Sequence, residues 1–183
     1  MTLPALHQRL QFDLAQGQVL DQTRRYVLMR ADVLMGLFDE LPSSARDSAR
    51  RALARSVARH GAGSVRAYAS QPGTTAEQLL QTMQDSAASL GWGVWQFRGL
   101  PEGGGLQLTV SNSPFAAHAS PSEEPVCAAI VGMLEALGTA LWKAPCQAKE
   151  MHCFAQGQHA DCDFTVRPVD PANFSPDGLD HLF

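Results

Sequence analysis

The sequence predicts an α+β fold in which an antiparallel sheet is packed with helices. Two observations carry this. The first half reads mainly in the helical period, and the second half holds three short segments that alternate in the period of strands, one helix standing between the second and the third. A chain of 183 residues, 45% hydrophobic and 17% charged, is long enough to bury a sizeable core and is read as one domain over 1–183.

Along the first half, residues 3–41 are mixed. A β-like run around Tyr26 to Met29 precedes helical spacing through Val33, Leu34, Leu37, Phe38 and Leu41, which Pro42 stops. "PSSARDSARRALARSVARHGAG" restarts as a helix capped by Ser43 or Ser44 and halted by Gly61 and Gly63. Its arginines at 46, 50, 51, 55 and 59 recur at helical spacing opposite Ala49, Leu53 and Val57. Such a face is either solvated or a contact for an anion or acidic partner. Thr74 or Thr75 caps a third helix, whose apolar side carries Leu79, Leu80, Met83 and Ala87 before Gly91.

Along the second half, "WGVWQFRG" and "GLQLTVSN" flank "LPEGGG" as a hairpin. "PFAAHASPSEEP" reads as a polar loop leading into the helix "VCAAIVGMLEALGTALW", with Cys127, Ile130, Val131, Leu134, Leu137 and Leu141 near one face. "CDFTVRP" reads as a strand that places Cys162, Phe164 and Val166 together. The segment after Pro168 is rich in Pro, Asp and Asn and reads as loop.

The bulk numbers restrict function. Net charge is −4 and the sequence pI is near 5.8, so the chain as a whole has no electrostatic footprint for nucleic acid. No run reads as a membrane span, and the start lacks the pattern of a signal peptide, so the expected location is cytoplasmic. None of the common nucleotide, hydrolase or metalloprotease signatures is present (GxGxxG after a strand, GxxxxGK[ST], GxSxG, HExxH), and the expectation leans away from an enzyme.

The chemistry concentrates in "KEMHCFAQGQHADCDFTVRP". Two of the four cysteines, Cys153 and Cys162, stand beside Glu150, His152 and His159. A disulfide, buried apolar thiols or a metal could each draw these residues together. Residues three apart on a strand face opposite ways, so Glu150 and Cys153 share a ligand only if the chain turns there. Gly157 then reverses the chain and returns Cys162 toward Cys153, while Cys127, at the start of the apolar helix, is the best remaining thiol. Three thiolates and a carboxylate suit Zn²⁺ in a closed, structural site with no open position for a reactive water. Cys146, between turn residues, reads as a spare thiol, and His118 and His60 as solvated side chains. Trp92, Trp95, Phe97, Phe115, Trp142, Leu106, Leu108 and Val131 are of the kind that lines an apolar pocket or fills an ordinary core.

The order "VSNSPFA", "PVC", a helix, "E-x-x-C" and "G-x-x-x-x-C-x-F-x-V" resembles the 4-vinyl reductase domain family, whose fold is similar to that of TRAPP vesicle-tethering subunits. The resemblance runs over 17–167, with an extension at 1–16 and a tail at 168–183. It implies a structural zinc on Cys127, Glu150, Cys153 and Cys162, as in the sensor domains of phenol- and xylene-responsive activators. It also implies a homodimer and a small hydrophobic or aromatic ligand, for which Trp95, Phe97, Leu106, Leu108, Phe115 and Val131 are the candidate contacts. Leu106 stands where those sensors place a Trp, which argues against phenol itself. No ATPase module or helix-turn-helix follows, so readout is expected from a separate output protein. Two other roles stay open: an accessory protein of tetrapyrrole (bacteriochlorophyll-type) or aromatic metabolism, and an interaction scaffold of the TRAPP-subunit type.

Overall fold

The computed structural model describes residues 6–99 and 104–169. Most of the glycine-rich hairpin turn and the segment from 170 onward, read from the sequence as turn and loop, lie outside the described residues. The chain forms α1 (Leu6–Arg9), β1 (Gln11–Asp13), β2 (Gln18–Asp21), β3 (Arg24–Tyr26), α2 (Ala31–Asp39), α3 (Ser43–Ala69) and α4 (Ala76–Ser89). There follow β4 (Val94–Arg98), β5 (Leu106–Ser111), α5 (Pro114–Ala117), α6 (Ala128–Trp142), β6 (Cys146–His152), a 3₁₀ turn (Phe154–Gln156) and β7 (Cys162–Pro168). The main sheet is antiparallel, in the order β4-β5-β7-β6, and a small meander orders β1-β2-β3. The α+β architecture is that of the sequence reading.

The strands of the main sheet alternate buried and exposed residues, as a sheet covered on one face requires. Trp95 on β4, Leu106, Leu108 and Val110 on β5, Phe164 and Val166 on β7 and Ala148 on β6 all enter the core. Against that face lies α6. It is buried around most of its circumference because α3 packs on its far side, so the single apolar face read from its sequence is too narrow. Two glycines let α6 approach both neighbours. A Cβ at Gly132 would lie 2.1 Å from the Ala54 carbonyl oxygen of α3, and one at Gly138 would lie 3.0 Å from Cys146 and Val166 of the sheet.

Four local expectations change. First, α3 runs for 27 residues straight through Gly61 and Gly63. Its packing along α6 outweighs the propensity cost of two glycines, and Gly61 leaves room for the Met133 side chain, which a Cβ would meet at 2.9 Å. Second, the β-like run at Tyr26 to Met29 is strand only through Tyr26. The third change is that α5, started by Pro114, interrupts the expected loop. Fourth, the arginine face of α3 is not simply solvated. Arg46 turns back to donate to the carbonyls of Leu41 and Asp39, and the Arg50 side chain is only 11% exposed. Thr75 closes a capping box with Gln78 at the start of α4, settling the choice between Thr74 and Thr75.

Glu135, on α6, gives a testable consequence of this packing. Burial raises its carboxyl from 4.5 to about 7, opposed by a hydrogen bond from the Ala148 N–H on the edge strand β6. A folded-state value above the unfolded one carries no cost below pH 4.5; the cost grows between 4.5 and about 7 and stays constant above. Glu135→Gln is expected to match the parent in urea denaturation near pH 4 and to exceed its stability by up to about 3 kcal/mol near pH 8. Equal stability of the two proteins at both pH values would remove this explanation.

Candidate metal centre

Cys127 is the N-cap residue of α6, Glu150 lies near the end of β6, Cys153 precedes the 3₁₀ turn, and Cys162 opens β7. All four are buried, and their ligand atoms lie within 4.8 Å of one another. The sequence requires a turn between Glu150 and Cys153; the structure uses a β-bulge. Glu150 pairs with Phe164 and His152 with Asp163, so Met151 is an extra residue in the ladder. That single insertion changes the strand's parity: Met151 and His152 both face outward, and Glu150 and Cys153 both face inward. Gly157, in the left-handed region at φ 76°, ends the 3₁₀ turn on the way back to Cys162.

The sulfurs form a chain of contacts. Cys127 Sγ donates to Cys162 Sγ at 3.7 Å, and Cys162 Sγ donates to Cys153 Sγ at 4.0 Å. The Phe154 N–H donates to Cys162 Sγ at 3.3 Å, and Ser113 Oγ lies 3.3 Å from Cys127 Sγ. Glu150 accepts the Cys127 N–H on Oε2 at 2.8 Å, while Oε1 is buried without a hydrogen-bond partner.

These environments drive the protonation states apart. Hydrogen bonds from Cys127 and Cys162 hold the Cys153 thiol far below its ordinary range. Burial pushes Cys127 well up, reinforced by the proton it gives to its neighbours. At Cys162 the bond from Cys127 lowers the value, but donation to Cys153 and burial outweigh it and the net shift is upward. Burial, then the negative charge of Cys153, pushes Glu150 well above the usual carboxylate range. Without a cation the cluster therefore carries little more than one negative charge, since four buried anions this close would repel one another strongly. A divalent cation would remove that obstacle, and the orphaned Oε1 is the kind of buried acceptor that such an ion satisfies. The donor set fits a metal, and its position at the N-terminus of α6 favours anionic ligands.

The four cysteines are free thiols, so the disulfide alternative has no counterpart here. His152 and His159 stand outside the cluster and stack on each other with ring centroids 4.2 Å apart. Cys146 is the first residue of β6, buried against Gly138 and away from the other thiols; burial raises it to about 11. Ser113 is a further member of the site that residue chemistry alone does not mark; its one sequence signal is its place in "VSNSPFA", immediately before the proline that starts α5.

Of the candidate ligand contacts, Trp95, Leu106, Leu108, Phe115 and Val131 lie in one buried cluster, with Phe97 packed against it. Trp92 meets Phe115 edge-on at 5.1 Å, and Trp95 meets Phe97 at 6.0 Å. The sheet, α6 and the metal centre thus share one core, and the segment from β5 to β7 contains every candidate metal ligand.

That segment decides the comparison with known families. Residues 106–168 match the 4-vinyl reductase domain. The matching region therefore begins at the first residue of β5 and ends at the last of β7. Among solved structures, the chain is similar to the phenol-responsive sensory domain of the transcription activator PoxR, solved with phenol. The TM-score is 0.75 at 18% identity, over 89% of this chain and 86% of that one. A vinyl-4-reductase family protein from Methanocaldococcus jannaschii matches with a TM-score of 0.52 at 18% identity, over 81% of this chain and 86% of that one. Trafficking protein particle complex subunit 3 from Naegleria fowleri, covalently bound to palmitic acid, matches with a TM-score of 0.51 at 10% identity, over 76% and 95%. These likenesses establish the fold. No curated protein matches the sequence.

Proposed function

We propose that this protein is a zinc-stabilised small-molecule-binding domain, of sensor or carrier type, for a hydrophobic or aromatic ligand. The observation that carries the reading is the buried cluster of three thiols and a carboxylate inside the segment that matches the 4-vinyl reductase domain. Zinc is the metal best suited to those donors, and with four protein ligands it ties α6 to the β6–β7 hairpin and leaves no open position for chemistry. The ligand class is supported by the fold: two of the similar structures were solved with apolar or aromatic molecules, phenol and palmitic acid. Trp95, Phe97, Leu106, Leu108, Phe115 and Val131 are the proposed contacts. Binding is passed to a separate output protein. Four free thiols fit a reducing, cytoplasmic setting, and no described helix is long and apolar enough to cross a membrane.

Native mass spectrometry of freshly expressed protein tests the ligand reading directly. It should show a small apolar adduct, or uptake of added alkylbenzenes, that Leu108→Trp reduces. Absence of any adduct or uptake in the stable protein would sink it.

The homodimer has its own support. Val27, Leu28 and Met29, 78%, 69% and 59% exposed, lie next to Val33 and Leu37 on the outer side of α2, which are 57% and 56% exposed. Apolar side chains gathered in this way mark contact surfaces. Sedimentation should find a dimer that Val33→Glu combined with Leu37→Glu converts to a folded monomer. An unchanged dimer would place the interface elsewhere.

A further inference from the structure

The open face of the main sheet carries a feature that the ligand and metal reading does not use. Arg98 on β4 stands opposite Gln107 on β5, Gln107 opposite Thr165 on β7, and Thr165 opposite Lys149 on β6. One pair further along, Arg167 stands opposite Gln147. Together these six residues line an open groove of about 840 Å³ with no acidic side chain in its described lining, and Arg98, Gln107, Lys149 and Arg167 are exposed. None of the three cations joins an ion pair among the described residues. The nearest carboxylate on this face, Asp163, is engaged by the Thr109 hydroxyl at 2.7 Å. In a chain of net charge −4, an uncompensated cationic groove stands out against the rest of the surface.

We propose that this face of the sheet docks an extended acidic segment of a partner protein. Strands are spaced about 4.8 Å apart, so the row from Arg98 to Lys149 spans roughly 14 Å. An extended peptide repeats same-side residues about every 6.7 Å, so carboxylates at alternate positions of a crossing segment cover that span. The cations are spread along a line and do not converge on one point, which suits several carboxylates better than a single small anion. The described groove lining offers no aromatic ring for base stacking, and the acidic chain as a whole repels polyphosphates, which disfavours nucleic acid. The proposal is independent of whether the core holds a small molecule or a metal.

The test uses a fluorescein-labelled peptide of alternating Glu and Ser, followed by anisotropy against the full chain. Binding should be saturable and should weaken between about 0.05 and 0.5 M salt, as screened surface charges do. The combined variant R98E, K149E and R167E should bind at least about tenfold more weakly. The single changes R98Q, K149Q and R167Q should each weaken binding by about two- to fivefold, the range of an exposed ion pair. R59E with R66E, which reverses exposed charges on α3, should leave binding unchanged. Absence of peptide binding overturns the proposal, as does equal weakening by the α3 variant. Tighter binding of inorganic phosphate or single-stranded DNA through the same three residues overturns the choice of partner.

Discussion

Replacing Cys153 with serine lowers the unfolding free energy by about 4 kcal/mol or more, among the largest effects a single substitution has. In a chain of this length that corresponds to a fall in melting temperature of roughly 8 to 16 °C. The size follows from what Cys153 joins. Its sulfur lies in one cluster with sulfurs from the start of α6 and the start of β7 and with the Glu150 carboxylate of β6, so losing it frees three elements at once. A structural zinc adds its binding free energy to folding, and serine is a poor substitute for a thiolate. Cys146→Ser is the control, since that thiol lies outside the cluster. It should cost about 1 kcal/mol or less, as a small, nearly volume-conserving change does. A strong chelator should destabilise the parent and leave Cys153→Ser unaffected. Equal, small effects of both cysteine changes would argue against the clamp.

The second large effect is expected at Gly132. A methyl group there would lie 2.1 Å from the Ala54 carbonyl oxygen, well inside any tolerated contact, and the obstacle is helix backbone, which has no rotamer to change. Gly132→Ala therefore forces α3 and α6 apart along their contact and costs about 3 kcal/mol or more, at the upper end for overpacking. Gly63 supplies the contrast. It lies within α3, and a Cβ there meets nothing within 4 Å. Gly63→Ala should stabilise the protein by about 0.5–1 kcal/mol, because the unfolded chain loses freedom and the helix gains propensity. Thermal or urea denaturation of the two variants checks both signs. Stabilisation by both would mean that the crossing of α3 and α6 is looser than described.

What could be read from the chain divides along physical lines. The hairpin of β4 and β5 and the strand β7 declare themselves by a period of two, since their residues face a core on one side and water on the other. The α6 segment is apolar and long enough to identify as a helix, but its burial on almost every side depends on α3, a partner distant in sequence. Gly61 and Gly63 mislead for the same reason: a local propensity is a fraction of what packing along a 27-residue helix supplies. The meander is nearly silent in the sequence because its strands are only three or four residues long and mostly exposed.

The candidate site shows the same division. The identities of Cys127, Glu150, Cys153 and Cys162 follow from residue chemistry together with the family resemblance. How Glu150 and Cys153 reach one side of the chain does not, because a bulge at Met151 leaves no composition signal and exists only through the register of β6 against β7. The orphaned Glu150 oxygen and the contact from Ser113 likewise become visible only once the chain is folded.

A metal that holds α6 to the β6–β7 hairpin must copurify with the folded chain, so elemental analysis of protein purified without added metal is the decisive experiment. About one zinc per chain is expected from the closed four-ligand site, falling to background in Cys153→Ser. A stably folded parent protein without stoichiometric zinc would rule the clamp out.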